Sequence, residues 1–159
     1  VASILSSMNT SASRFEFELA ESAVVANLDD IADDMVLLEK QGVRFALDGF
    51  GRGYSSLPQL QKLPITTLKL DKSYVQKVAI DKDSASIVRA MINMAHGLEL
   101  TVVGEGVETE EQKAFLVKNR CDHLQGFFYS QPLTFDDFTQ LLNSEGTTSR
   151  RAYLSVVDK

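Results

Sequence analysis

Short β-rich runs alternate with segments of helical period along most of this 159-residue chain, the pattern of repeated βα units. Phe15-Glu-Phe-Glu-Leu19 alternates apolar and acidic residues as a strand does. Leu28, Ile31, Met35 and Leu38 then recur at helical spacing, and Gly42 is placed to end that helix. Asp29, Asp30, Asp33 and Asp34 fall mostly on the other face and read as a solvated surface, not a metal cluster. Further strands are expected at 43–47, 66–70, 101–103 and 122–127. A helical piece should begin near Ser55, and a helix over 84–96 should carry Ile87, Met91 and Ala95 on one face with Gly97 as its stop. Thr109 and Gln112 make a capping box for a helix through Phe115 and Leu116, and Thr134 with Asp137 caps a last helix reaching about Asn143. From there to Lys159 the composition turns polar, as in a linker or small appendage.

About five βα units follow one another with no proline-rich linker between them. A closed (β/α)8 barrel takes ~200 residues or more. Residues 1–9 look like a helix already in progress. The simplest reading is the later portion of such a barrel, with about three strands lying upstream. Standing alone it would expose barrel core, so it should dimerise, exchange elements or belong to a longer chain.

With 44% hydrophobic residues the chain can form one real core. Its formal net charge of −6 argues against a nucleic-acid polymer as partner, although a small anion could still meet a locally positive or metal-loaded pocket. The single cysteine, Cys121, excludes an internal disulfide framework and fits a reducing compartment. No run approaches the ~20 apolar residues that span a bilayer, and the start lacks the pattern of a signal peptide. A cytoplasmic domain is expected, whether or not a longer protein tethers it.

In a parallel α/β barrel, function sits where strands end and βα loops begin. Those positions carry Glu18 and Glu21, Asp48, Lys69 and Asp71, Glu105 and Glu108, and Gln125. Converging carboxylates are costly unless a cation neutralises them. An all-oxygen set with a lysine suits Mg²⁺ or Mn²⁺ better than zinc, and phosphoryl better than acyl chemistry. Each residue also has a plainer reading: Glu18 and Asp48 as solvent-facing strand-end acids, Glu108 as a loop brace, Asp71 as a turn residue and Arg52 as a solvent-facing loop residue. His96 and His123 lack partners at metal spacing, the glycines at 49, 51 and 53 lack the Lys-Ser/Thr of a P-loop, and Phe127, Phe128 and Tyr129 read as core and barrel rim.

Five motifs stand in order: Glu18-Leu-Ala-Glu-Ser22, Asp48-Gly-Phe-Gly-Arg-Gly-Tyr-Ser-Ser-Leu57, Lys69-Leu-Asp-Lys-Ser-Tyr-Val75, Val103-Gly-Glu-Gly-Val-Glu-Thr109 and Gln125-Gly-Phe127. They resemble the successive motifs of EAL domains, the cyclic-di-GMP phosphodiesterases of bacterial signalling. The resemblance covers about residues 15–142. It implies an α/β fold, a (β/α)8 barrel of EAL type of which residues 1–143 hold about the last five units, with 144–159 as a polar tail. It also implies hydrolysis of cyclic-di-GMP to linear pGpG with two divalent cations, Mg²⁺ or Mn²⁺. Under it, Glu18 and Asp48 are metal ligands, and Lys69 holds attacking water and phosphate with Asp71 beside it. Glu105 is an essential glutamate, Gln125 orients water, and Glu21 braces the loop after Asp48. Apart from the family's roles, Asp71, Arg52 and Glu108 are expected to contact the ligand. A homodimer and an upstream regulatory or GGDEF-type domain are the family's expectation.

Two departures stand out. The Glu-Ala-Leu motif and an asparagine ligand are absent and belong to the front of the barrel. Gly49 occupies the place of the second aspartate of the family's Asp-Asp-Phe-Gly, so a metal ligand and a negative charge are lost there. Arg52 stands where the family has a small hydroxyl residue, and it could engage phosphate where a metal no longer does. The expectation is a cyclic-di-GMP receptor with weak or no hydrolysis. The alternatives are an active phosphodiesterase in the full-length protein and an interaction scaffold that no longer sees nucleotide.

Overall fold

A computed structural model describes residues 10–26, 28–52 and 57–144. Five strands, β1 (Glu16–Ala20), β2 (Arg44–Phe50), β3 (Thr67–Leu70), β4 (Thr101–Glu105) and β5 (His123–Gln125), form one sheet. Every pairing is parallel, and each strand lies beside its chain neighbour. That order winds in one direction, as in a (β/α)8 barrel, and never reverses as in a doubly wound sheet. The chain is thus an α/β fold holding part of such a barrel.

The connections carry α1 (Glu21–Ala26), α2 (Leu28–Glu39), α3 (Leu57–Leu60), α4 (Lys72–Val75), α5 (Lys82–Gly97) and α6 (Glu110–Lys118), and α7 (Phe135–Ser144) follows β5. Among the described residues no helix is long and apolar enough to cross a membrane.

Strand side chains alternate between two faces. One set, Phe45, Leu47, Leu68, Leu70 and Val102, is buried in a single core with Val24, Met35, Val88, Ile92 and Leu116 from the helices. Fully burying such a side chain contributes ~1.5–3 kcal/mol, so this face drives folding. The alternate set carries Glu16, Glu18, Asp48, Thr67, Lys69, Glu105 and Gln125. On it Thr67 Oγ1 donates to Glu16 at 2.6 Å, and the polar groups satisfy one another across strands.

Several expectations are met in detail. The Thr109–Gln112 capping box is present, and Thr134 caps α7 by accepting from the Asp137 amide at 3.3 Å. Gly42, at φ 96°, turns the chain after α2, whose Asp33 and Asp34 are exposed. Residues 1–9, 53–56 and 145–159 lie outside the described residues, and with them the expected early helix, the start near Ser55 and all but the first residue of the polar tail.

Others are corrected. A separate helix, α1, precedes the expected one. On α5 the buried stripe is Ser84, Ala85, Val88, Ile92 and Ala95, while Ile87 is 40% exposed and Met91 only partly buried. Small side chains at 84 and 85 let the helix approach the sheet along that stripe, which turns Ile87 outward. α5 runs through Gly97, and Glu99 at φ 59° makes the left-handed turn instead. The last strand is shorter than 122–127: Val107 N donates to Gln125 O and Phe128 N to Val107 O, so the chain leaves the ladder to wrap Val107. Phe128 packs on the core, but Phe127 is 61% exposed.

His96 pairs with Asp122 at 2.9 Å, a structural role. Cys121 donates to His123 O at 3.3 Å, and burial pushes its thiol up to about 12. Since the thiolate is the reactive form, Cys121 should resist iodoacetamide at pH 8 in the folded protein and react within minutes in urea. Rapid labelling of the native protein, read by mass spectrometry, would contradict this packing.

Candidate functional site

Lys69 rises from β3 between two acids on other strands. Its Nζ donates to Glu18 Oε1 at 2.6 Å and reaches Glu105 Oε1 at 2.7 Å. The lysine side chain is 7% exposed, Glu105 22% and Glu18 54%. Burial pulls the Lys69 ammonium down, but its hydrogen bonds and the charges of Glu105 and Glu18 outweigh this and hold it above the usual lysine value. Burial pushes the Glu105 carboxyl up against the pull of Lys69, and the charges of Asp48 and Glu18 add to the push. One ammonium therefore serves both acids that flank it.

Asp48 lies at the end of β2 in an irregularity. Leu47 pairs with Leu68 but Phe50 with Leu70, so β2 fits one extra residue opposite β3. This is a bulge, which re-aims side chains at a sheet edge. Gly49 takes φ 69° there, and a Cβ on it would stand 4.0 Å from Asp71 Oδ2. Asp71 is buried and caps α4, its Oδ1 accepting from Ser73 N at 2.9 Å. Its Oδ2 faces the exposed Arg52 guanidinium at 3.6 Å. Asp71 thus sees Gly49 on one side and a cation on the other.

The turn after Asp48 is held from both sides. Gly51 N donates to the buried Glu21 Oε2 at 3.2 Å, and Tyr74 Oη donates to Gly51 O at 3.0 Å. Sequence reasoning anticipated Glu21 but not Tyr74, whose partner is a backbone atom 23 residues away that no side-chain pattern announces.

An open hollow of about 530 Å³ is lined by Glu21, Asp48, Gly49, Arg52, Asp71, Lys72 and Glu105. That is within the ~300–1,000 Å³ usual for small-molecule sites. A second, of about 270 Å³, adjoins Lys72, Glu105, Glu108, Gln125 and Phe127. Glu18 and Lys69 join through Glu105. Glu108 is exposed and accepts from Gln76 Nε2 at 2.8 Å, which fits a loop brace as well as a ligand contact. Seven of the nine anticipated residues thus line one or other of two adjoining hollows, and Glu18 and Lys69 connect to them through Glu105. Lys72, which borders both hollows, was not among the anticipated residues. Among the described residues no three His, Cys, Asp or Glu side chains stand close enough to hold a metal ion.

A one-way parallel sheet with acids and a buried lysine at the ends of its strands defines an α/β-barrel domain with a charged rim. An EAL domain profile matches residues 1–132, and the chain belongs to the EAL domain family. It is 39% identical over 129 residues to "Cyclic di-GMP phosphodiesterase NbdA" of Pseudomonas aeruginosa, covering 81% of this chain and 16% of NbdA. The solved "PaMucR Phosphodiesterase, c-di-GMP complex" superposes with a TM-score of 0.83 at 36% identity, covering 87% of this chain and 56% of that one. Klebsiella pneumoniae BlrP1, solved as a manganese and cyclic-di-GMP complex, gives a TM-score of 0.74 at 29% identity over 80% of this chain and 32% of BlrP1. The chain thus spans only a minor part of NbdA and just over half of the MucR chain.

Replacing Lys69 by Met leaves its acids facing one another without a cation. Removing one partner of a buried pair costs ~3–5 kcal/mol, and the exposure of Glu18 should reduce this to about 2 kcal/mol. Thermal unfolding of the intact protein should show a lower midpoint for K69M, partly restored by adding E105Q. An unchanged midpoint would remove the lysine from its structural role.

Proposed function

We propose that this EAL domain binds cyclic-di-GMP across the rim hollows and hydrolyses it weakly or not at all. The carrying observation is the environment of Asp71, whose carboxylate meets a glycine in the bulge and an arginine where a metal-binding acid would make the local charge more negative. The relatives support the ligand: one is named a cyclic-di-GMP phosphodiesterase, and two were solved with the dinucleotide.

The residues take these roles in the proposal. Arg52 offers a planar guanidinium to a phosphate, suited to bidentate recognition. Lys69 fixes the orientation of Glu18 and Glu105, and Glu21 with Tyr74 fixes the turn that carries Asp48 and Arg52. Gln125 and Glu108 border the second hollow and can hydrogen-bond an uncharged part of the ligand. A divalent cation would supply charge neutralisation and an activated water for hydrolysis. Glu18 and Asp48 are the acids that would contribute to holding one. The described residues alone do not fit it, because they bring no third acid close and Glu18 is already engaged by Lys69.

A second reading, an active Mg²⁺- or Mn²⁺-dependent phosphodiesterase, draws support from the convergence of Glu18, Lys69 and Glu105. Calorimetric titration of the intact protein with cyclic-di-GMP in EDTA should show binding. Release of pGpG with Mn²⁺ or Mg²⁺ should stay near background, and Gly49→Asp should raise it more than tenfold. Turnover by the unmodified protein at about 1 s⁻¹ or faster, approaching typical enzymes at ~10 s⁻¹, overturns the receptor reading.

A further inference from the structure

We infer that Lys72 is the phosphate-contacting residue that joins the two rim hollows into one binding trough. The inference rests on the cyclic-di-GMP reading. Lys72 and Glu105 both line the larger hollow and the smaller one, so they form the divide between them. The other charged groups on this divide are already engaged: Glu105 with Lys69, Asp71 with Arg52, and Glu108 with Gln76. Lys72 is exposed and forms no ion pair among the described residues.

Its position is fixed by backbone. A Cβ on Gly106 would lie 2.6 Å from Lys72 Cβ, so the stem of the lysine is seated against the loop that follows β4. Gly106 itself has φ 69°, a conformation in which glycine is unstrained. The stem is held and the ammonium at its end remains available, which suits an anion delivered between two cavities. A cyclic dinucleotide carries two phosphates on one ring with a base on either side. A ligand laid over both hollows would bring one phosphate to the divide, where a flexible point charge with three donors can meet it.

The test compares K72M, K72R and a control, K77M, in the intact protein, titrated with cyclic-di-GMP in EDTA at two salt concentrations. Lys77 is exposed but borders neither hollow. K72M should weaken binding at least tenfold and flatten its salt dependence, because one screened charge contact is lost. K72R should remain within about threefold of the unmodified protein and K77M should match it. Binding by K72M within twofold of the unmodified protein overturns the role of Lys72 while leaving the cyclic-di-GMP reading intact. A K72R as weak as K72M overturns the charge contact. No binding by the unmodified protein overturns both the reading and the inference.

Discussion

One ammonium between two strands holds the rim together. Acids at the ends of β1, β2 and β4 could not share a surface without a cation, since unit charges ~4 Å apart interact with about 4 kcal/mol at the effective dielectric of a protein surface. Lys69 supplies that cation from β3 and reaches both ways, to Glu18 and to Glu105. The reach toward β1 crosses β2, where the residue paired with Glu18 is Ala46. A larger side chain there would stand in the way. The polar face of the sheet is thus arranged around the length of one lysine, and the apolar face beneath it supplies the rigidity that holds the register.

From this floor the rest of the site is built by turns. β2 breaks its ladder at Asp48–Gly49, and the following turn is gripped by Glu21 from α1 and Tyr74 from α4. Two helices far apart in sequence therefore set the position of the same peptide. Met91 of α5 packs against that turn as well, which explains why this residue is only partly shared with the helix's buried stripe. Packing, bulge and charge are three parts of one arrangement.

Much of this was legible in the sequence because it is local. The Thr109–Gln112 box, the strand alternation at Phe15 to Leu19 and the acids at strand ends follow from spacing that a reader can count. Seven of the nine candidate residues taken from the ordered motifs line the two hollows, and the other two meet them at Glu105. What escaped depends on distant contacts. Ile87 and Val88 are both apolar neighbours, and only the sheet decides which one is buried. Tyr74 is one more aromatic until its hydroxyl meets Gly51, and Lys72 is one more lysine until two cavities meet beside it.

Gly49 and Arg52 support each other as a pair. An aspartate at position 49 would adopt a left-handed backbone, which aspartate tolerates better than most residues but less well than glycine, and its carboxylate would start from a Cβ only 4.0 Å from Asp71 Oδ2. Both penalties are tolerable only where a bound cation attracts the two acids more strongly than they repel. Glycine relieves the backbone and removes the repulsion in one step. Under the receptor proposal it would also weaken the hold on a cation, and the Asp71 carboxylate is within reach of an arginine. In the proposed receptor, a side chain that cannot dissociate into solvent would supply the charge that an exchangeable ion otherwise supplies. Under the receptor proposal, that change would favour holding an anionic ligand over activating the water that would cleave it.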